Sequence, residues 1–120
     1  MRDKKEDISY VWDMLEAAKW ITKFLQGKSF YHFENDELLR SGVERKIEII
    51  GEAARNISKE FQIHHPEIIW TKIIGLRHLL AHEYGEIKYE LLWNIAFLNV
   101  PQLISLLEAI HTKEPPEENS

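Results

Sequence analysis

The chain has 120 residues, of which 20 are acidic and 15 are basic, so its formal net charge is −5. A chain of this length is expected to form a single domain, and its hydrophobic content of 44% is enough for one ordinary core. Because it contains no cysteine, disulfides, thiolate metal sites and cysteine nucleophiles are excluded. The negative charge counts against a protein that coats nucleic acid through many phosphate contacts.

The N-terminal segment 1–7 is highly charged and is not followed by a continuous apolar stretch. A signal peptide is therefore not expected, and no run approaches the ~20 apolar residues of a membrane-spanning helix. The absence of cysteine is in keeping with a reducing compartment. We predict a cytoplasmic protein that has no membrane partner.

The spacing of apolar residues predicts a first helix that ends at Gly27, a residue type suited to a helix C-terminus. Its apolar positions are Ile8, Val11, Leu15, Ala18 and Leu25. The aromatic-rich segment 28–35 is predicted to be a tight connection. Asn35 or Asp36 can cap a second helix, because a short side-chain oxygen accepts hydrogen bonds from the N–H groups of the first turn.

Apolar residues at steps of three or four predict a second helix that continues to Phe61. They are Leu39, Val43, Ile47, Ile50, Ala54, Ile57 and Phe61. Within this helix, Gly51 indicates a close contact with another helix. A break follows, and Pro66 is predicted at the first position of a third helix that ends near Gly85. The apolar face of the third helix is Ile69, Ile73, Leu76 and Leu80.

A fourth helix is predicted from about Tyr89 to Ile110, kinked or divided at Pro101 because proline lacks a backbone N–H. No segment alternates with the period of a strand. The expected fold is therefore all-α, an up-and-down bundle of four main helices. It forms one domain over residues 1–112, followed by a flexible acidic tail over residues 113–120.

Four polar side chains crowd the end of the third helix: Arg77, His78, His82 and Tyr84. Arginine binds phosphate through a planar fork of donors, histidine moves protons near neutral pH, and tyrosine supplies a phenol. Together they are the parts of a phosphoryl-transfer site that needs no metal. Each also has a structural interpretation, since a histidine can complement a helix C-terminus and an arginine can extend from the edge of a core.

A metal site is the next alternative, because His78 and His82 are four residues apart and share a helix face. In the His-Glu-x-x-His pattern of metalloproteases, a glutamate follows the first histidine, whereas this chain has Leu79. Since no third ligand is apparent, we predict no metal site and no cofactor.

Arg77 and His82 are five residues apart, which is about 140° around a regular helix. One straight helix therefore cannot easily direct both side chains to the same phosphate. Either the last turn distorts before Gly85, or a second subunit completes the site. We predict a homodimer in which two third helices meet.

The pattern Arg77-x4-His82-x-Tyr84 resembles the Arg-x4-His-x-Tyr motif of HepT, the toxin of a prokaryotic toxin–antitoxin pair in the HEPN superfamily. The resemblance extends over residues 7–111. It includes the segments Asp7-Ile8, Ser29-Phe30, 50–54, 66–70, 74–77, Leu92-Trp93 and Pro101-x-Leu103.

The resemblance implies a HEPN helical domain and a homodimeric, metal-independent ribonuclease toxin that acts on tRNA or mRNA. It makes Arg77 and His82 catalytic and Tyr84 the residue that carries AMP, as O-AMP-tyrosine. The AMP comes from ATP through a cognate nucleotidyltransferase antitoxin of the MNT or MntA type. His78 stands where the family most often has asparagine, which implies a supporting or RNA-contacting role, and Glu83 stands where glycine is common. The alternative function is a non-catalytic binding or assembly partner of a nucleotidyltransferase.

Overall fold

Helix is the only regular secondary structure in residues 4–113, the part of the chain that the computed structural model describes. The helices are α1 Lys4–Leu25, α2 Phe30–Glu34, α3 Glu37–Asn56, α4 Lys59–His64, α5 Trp70–Ile74, α6 Leu76–Ala81, α7 Gly85–Asn94 and α8 Val100–Lys113. A π-helical segment, Ile95–Asn99, joins α7 to α8. The predicted all-α fold is confirmed.

Four main helical stretches form the bundle: α1, α3, α5 with α6, and α7 with α8. Helix α1 packs against both α3 and α8, and the core lies where these helices meet. Its largest fully buried side chains include Val11, Met14, Ile21, Val43, Ile47, Ile50, Leu107 and Ile110. The close approach predicted at Gly51 is confirmed, because a Cβ there would lie 3.2 Å from the Ile73 carbonyl oxygen of α5.

Two predicted helix ends are confirmed and one connection is wrong. Gly27 follows α1 with φ +75°, and the Asp36 carboxylate caps α3 by accepting from the Leu39 N–H at 3.0 Å. The segment 28–35, predicted to be a connection, contains the short helix α2. Its formation is favoured by a capping box in which the Ser29 hydroxyl and the His32 ring each bond the other residue's backbone N–H.

The prediction of one helix from Leu39 to Phe61 is wrong, because α3 ends at Asn56 and α4 begins at Lys59. Ser58 caps α4, and its hydroxyl and backbone N–H both donate to the Asp7 carboxylate, at 2.7 and 2.8 Å. Asp7 is only 3% exposed. These hydrogen bonds offset the cost of burying its carboxylate and hold the break in place.

The third helix also differs from its prediction. Pro66 lies in a turn, and α5 begins four residues later at Trp70, whose indole N–H donates to the His65 carbonyl at 2.9 Å. The stretch is interrupted at Gly75, and α6 ends at Ala81. Gly85, predicted as the end of this helix, is instead the first residue of α7, with φ +59°.

The last helix, predicted to be kinked or divided at Pro101, instead changes type before it, in the π-helical segment Ile95–Asn99 that ends two residues before the proline. The Val100 N–H bonds the Ile95 carbonyl five residues back. Pro101 then occupies the second position of α8, where a missing N–H is tolerated. Of the predicted tail, Lys113 closes α8, and residues 114–120 lie outside the described residues.

The helical stretch Gly85–His111 is long and apolar enough to cross a membrane by length and composition, since it contains an 18-residue window with a mean hydropathy of 1.3. This corrects the expectation that no segment approaches that limit. The same stretch buries Leu92, Ile95 and Leu107 in the core of the bundle. A core helix of a globular protein passes the same test, so this single stretch is weak grounds for a membrane protein.

Candidate active site

The predicted site residues lie on α6 and on the loop 82–84 that follows it. Leu80 is 1% exposed and anchors α6 to the core, whereas Arg77, His78 and His82 are exposed. Helix α6 ends before His82, which is its C-cap at φ −98° and ψ 3°. The backbone then extends to Tyr84, the N-cap of α7.

The ring of His82 is held in one orientation. Its Nδ1 atom lies 2.8 Å from the His78 carbonyl oxygen, one turn back. Since a carbonyl oxygen only accepts, Nδ1 must carry the hydrogen and donate it. In the neutral imidazole, Nε2 then has the free lone pair of a base. The His78 ring lies beside that of His82, with 4.2 Å between the ring centroids.

Arg77 lies in a different setting, because it lines a groove of about 470 Å³ beside α1 and α3. Four carboxylate side chains line the same groove: Asp13, Glu16, Glu48 and Glu52. The groove does not include His78, His82 or Tyr84. A single chain thus brings the two histidines together and directs Arg77 elsewhere, in keeping with their angular separation on the helix.

Sequence reasoning missed these carboxylates. Asp13 and Glu16 are three residues apart on α1, which does place them on one helix face, but no sequence pattern shows that Arg77 packs across from them. Partial burial, followed by repulsion from Glu16, raises the pKa of the Asp13 carboxyl above its ordinary value. Arg45 and Lys46 also line the groove, so its charges are mixed.

Tyr84 is 79% exposed, as its place just before Gly85 predicts. The helix behind it is fixed to α3 by two contacts. The Lys88 ammonium lies 2.9 Å from the Glu44 carboxylate, and the Arg40 guanidinium lies 4.0 Å from the centroid of the Tyr89 ring. The phenol of Tyr84 is therefore presented to solvent from a well-anchored helix start.

In residues 4–113, no group of three or more histidine, aspartate or glutamate side chains is arranged to hold a metal ion. His78 and His82 lie together as a pair, and because Nδ1 of His82 is bonded to the backbone, only Nε2 of that ring is open to a metal ion or a substrate.

Comparison with known proteins identifies the family. A family model described as "Ribonuclease HepT-like" matches residues 14–110. The chain is 35% identical over 107 residues to "Putative RNase MJ1380" of Methanocaldococcus jannaschii, covering 89% of this chain and 98% of that protein. It is 33% identical over 107 residues to "Probable ribonuclease HepT" of Thermococcus cleftensis, covering 89% and 97%. No solved structure matches the chain significantly. The chain belongs to the HepT-like ribonuclease family of the HEPN superfamily.

Proposed function

We propose that the chain is the toxin of a HEPN/MNT toxin–antitoxin pair and acts in the cytoplasm as a metal-independent endoribonuclease on tRNA or mRNA. The observation that carries the proposal is the grouping at the end of α6, where the His82 ring lies 4.2 Å from the His78 ring, an exposed Tyr84 follows two residues later, and Nδ1 of His82 is bonded to the His78 carbonyl oxygen. This bond leaves Nε2 of an exposed histidine as the proton acceptor. The family and the names of its relatives support RNA as the substrate.

The proposed reaction is a transesterification. Nε2 of His82 takes the proton of a ribose 2′-hydroxyl, and the 2′ oxygen attacks the adjacent phosphorus. The bond from phosphorus to the 5′ oxygen breaks, leaving a 2′,3′-cyclic phosphate, and the departing oxygen takes a proton from water or from a protonated His78. Arg77 stabilises the charge that develops on the phosphoryl oxygens.

We propose a homodimer as the catalytic unit. In one chain, Arg77 faces the groove of α1 and α3, whereas His82 lies outside it. Two copies related by a two-fold axis can bring the Arg77 of one copy to the phosphate that the His82 of the other attacks. The predicted meeting of the third helices corresponds to a contact through α6.

Regulation is proposed to act on Tyr84. Its exposed phenol can enter the ATP site of a cognate nucleotidyltransferase antitoxin. The phenolic oxygen attacks the α-phosphorus of ATP, pyrophosphate leaves, and AMP remains on the tyrosine. The added phosphodiester anion lies two residues from His82, where it competes with the substrate phosphate for Arg77.

A second candidate function is a non-catalytic partner of a nucleotidyltransferase. The four carboxylates around Arg77 favour it, because they repel RNA phosphates and can occupy the guanidinium. In this alternative the chain binds the nucleotidyltransferase but cleaves no RNA.

The experiment that separates the two functions uses the purified chain with total RNA, with and without EDTA. The ribonuclease proposal expects fragments of RNA in both reactions, since no step passes through a metal ion. Cleavage that stops on chelation overturns the metal-independent mechanism. Intact RNA in both reactions, with stable binding of the nucleotidyltransferase, supports the second function instead.

A further inference from the structure

A second groove, of about 460 Å³, lies between the end of α1 and the π-helical segment. It combines aromatic, cationic and neutral polar side chains, which are Lys19, Thr22, Lys23, Gln26 and Phe97, together with Leu25, Ala96 and Pro101. None of these residues belongs to the candidate active site. We call this feature the Phe97 groove.

The aromatic part of the Phe97 groove is rigidly supported. The ring of Phe97 is stacked on that of Trp93, with centroids 5.1 Å apart and planes within 10° of parallel. Trp93 in turn contacts Phe33, which is fully buried, at 5.4 Å. Because Phe97 is still 53% exposed, it ends an aromatic stack with ring surface left for another flat group.

The π-helical turn explains why this phenylalanine is exposed. Ile95 and Ala96 are buried, and the next three residues, Phe97, Leu98 and Asn99, are all exposed. The turn belongs to the π-helical segment Ile95–Asn99. π-Helical turns are rare in proteins, and those that occur are frequently at functional sites. The exposed large apolar side chains Phe97 and Leu98 therefore lie at the one π-helical segment of the described residues.

Two lysines add positive charge in a chain whose net charge is −5. Lys23 has its ammonium 4.8 Å from the centroid of the half-exposed Trp20 ring and forms no ion pair with the residues that the structure describes. Lys19 pairs with Glu108 at 3.2 Å, but both side chains are about half exposed, so water and salt weaken this pair. An RNA phosphate can replace the Glu108 carboxylate at Lys19, and a phosphate can also pair with the Lys23 ammonium.

We propose that the Phe97 groove is an RNA exosite, in which a base stacks on Phe97 and neighbouring phosphates contact Lys23 and Lys19. Stacked aromatic rings beside lysines are the usual elements of single-stranded nucleic-acid binding. The proposal rests on the proposed ribonuclease function and adds a substrate contact to it. Phe97 lies twelve residues beyond Gly85 on one helical stretch, roughly 18 Å along its axis. The exosite therefore holds the RNA at a distance from the cleaved bond.

The test measures binding of a fluorescent oligouridine by anisotropy, in a His82→Ala background so that no RNA is cut. Phe97→Leu should weaken binding about fivefold or more, because it keeps an apolar side chain but removes the ring. Phe97→Tyr keeps the ring and should bind as the parent does. The matched control is Leu98→Ala, which alters the neighbouring exposed residue outside the groove and should leave affinity unchanged.

The lysine contacts are tested by the salt dependence of the same binding. The plot of log affinity against log salt concentration has a negative slope. Lys23→Gln should make this slope shallower by about 0.7, the value for one phosphate contact on a single strand. Lys28→Gln removes the same charge from an exposed residue outside the groove and should leave the slope unchanged.

The exosite proposal is overturned if Phe97→Leu binds the RNA as tightly as the parent, or if the parent binds no RNA. The exosite proposal is also overturned if the chain binds phosphatidylserine vesicles but does not bind RNA. Cleavage by the chain with an intact His82 is scored separately. If the chain cleaves RNA but Phe97→Leu does not weaken RNA binding, the exosite proposal alone is wrong. If RNA binding depends on Phe97 but the chain with an intact His82 cleaves no RNA, the ribonuclease proposal fails and the groove remains an RNA-binding site.

Discussion

His64 and His82 occupy nearly the same local structure and differ in what surrounds them. Each follows or ends a six-residue helix, each is exposed, and each directs Nδ1 to the carbonyl oxygen four residues back, at 2.9 Å for His64 and 2.8 Å for His82. The hydrogen bond is therefore a local property of a histidine at a helix C-terminus. It fixes the tautomer but does not by itself indicate catalysis.

The neighbours distinguish the two histidines. Next to His64, the ring of His65 packs on Phe61 with 4.5 Å between centroids and lies 3.2 Å from the Glu67 carboxylate. Next to His82 are a second exposed histidine and, two residues on, an exposed tyrosine. Of these two helix ends, only that of α6 combines an available base with other groups that can act on a phosphate.

The largest expected effect tests the comparison of His82 with His64 directly. His82→Ala removes the proposed base and should lower the rate of RNA cleavage 10²–10⁴-fold, the usual worth of general-base catalysis. His64→Ala removes a histidine with the same backbone hydrogen bond and should leave the rate unchanged. The rates are measured on one RNA substrate, and circular dichroism checks that both variants are folded. Equal rates for the two variants would show that the surroundings of His82 have no catalytic meaning.

A somewhat smaller loss is expected at Arg77. Arg77→Ala should lower the cleavage rate about 10²-fold, as removing one donor to developing oxyanion charge does. Arg55→Ala, which alters another exposed arginine at the end of α3, is the control. Unchanged cleavage by Arg77→Ala would mean that the groove carboxylates hold this arginine away from the substrate.

A substitution at the start of α4 should lower the stability of the chain without lowering its cleavage activity. Ser58→Ala removes the hydroxyl that accepts from the Phe61 N–H as the cap of α4 and donates to the buried Asp7 carboxylate, so the free energy of unfolding should fall by about 1–3 kcal/mol. Urea denaturation measures this change. Cleavage at a temperature where the variant remains folded should equal that of the parent, because α4 carries no catalytic group. A matching loss of activity would tie the active site to the α4 end of the bundle.

The smallest effect on cleavage is expected at Tyr84. Tyr84→Phe keeps the ring and should cleave RNA at the parent rate, but it should no longer accept AMP during co-expression with the cognate nucleotidyltransferase. Tyr31→Phe alters a similarly exposed tyrosine, at 72%, and should still be modified and silenced. Mass spectrometry scores the modification and growth scores the toxicity. AMP found on Tyr84→Phe would disprove the proposed regulation.

Local signals in the sequence were enough for the features that depend on neighbouring residues. The cap at Asp36 and the glycine at Gly27 are examples, because their interactions span only a few positions. The break at Ser58 was not predictable in this way, since its partner Asp7 is 51 residues distant. The apolar period continues through Ile57 to Phe61 and so conceals the interruption.

The candidate site was likewise predictable only in part. The residues themselves were apparent from their types and spacing, and the angular separation of Arg77 from His82 followed from helix geometry. The carboxylates that share a groove with Arg77 come from α1 and α3, so they depend on tertiary packing. A distortion of the last turn before Gly85 was one of the two alternatives that this angular separation left open, and α6 does end early, at Ala81; the spacing of apolar residues alone does not reveal the extended backbone at Tyr84.

The chemical ends of the RNA fragments test the central claim most directly. The purified chain is incubated with a short RNA in EDTA, and the products are identified by mass spectrometry. If His82 activates the ribose 2′-hydroxyl, the upstream fragment ends in a 2′,3′-cyclic phosphate, and a 2′-deoxy substitution at the cleaved position stops the reaction. Fragments with 5′-phosphate and 3′-hydroxyl ends, or cleavage that survives the 2′-deoxy substitution, would contradict the account.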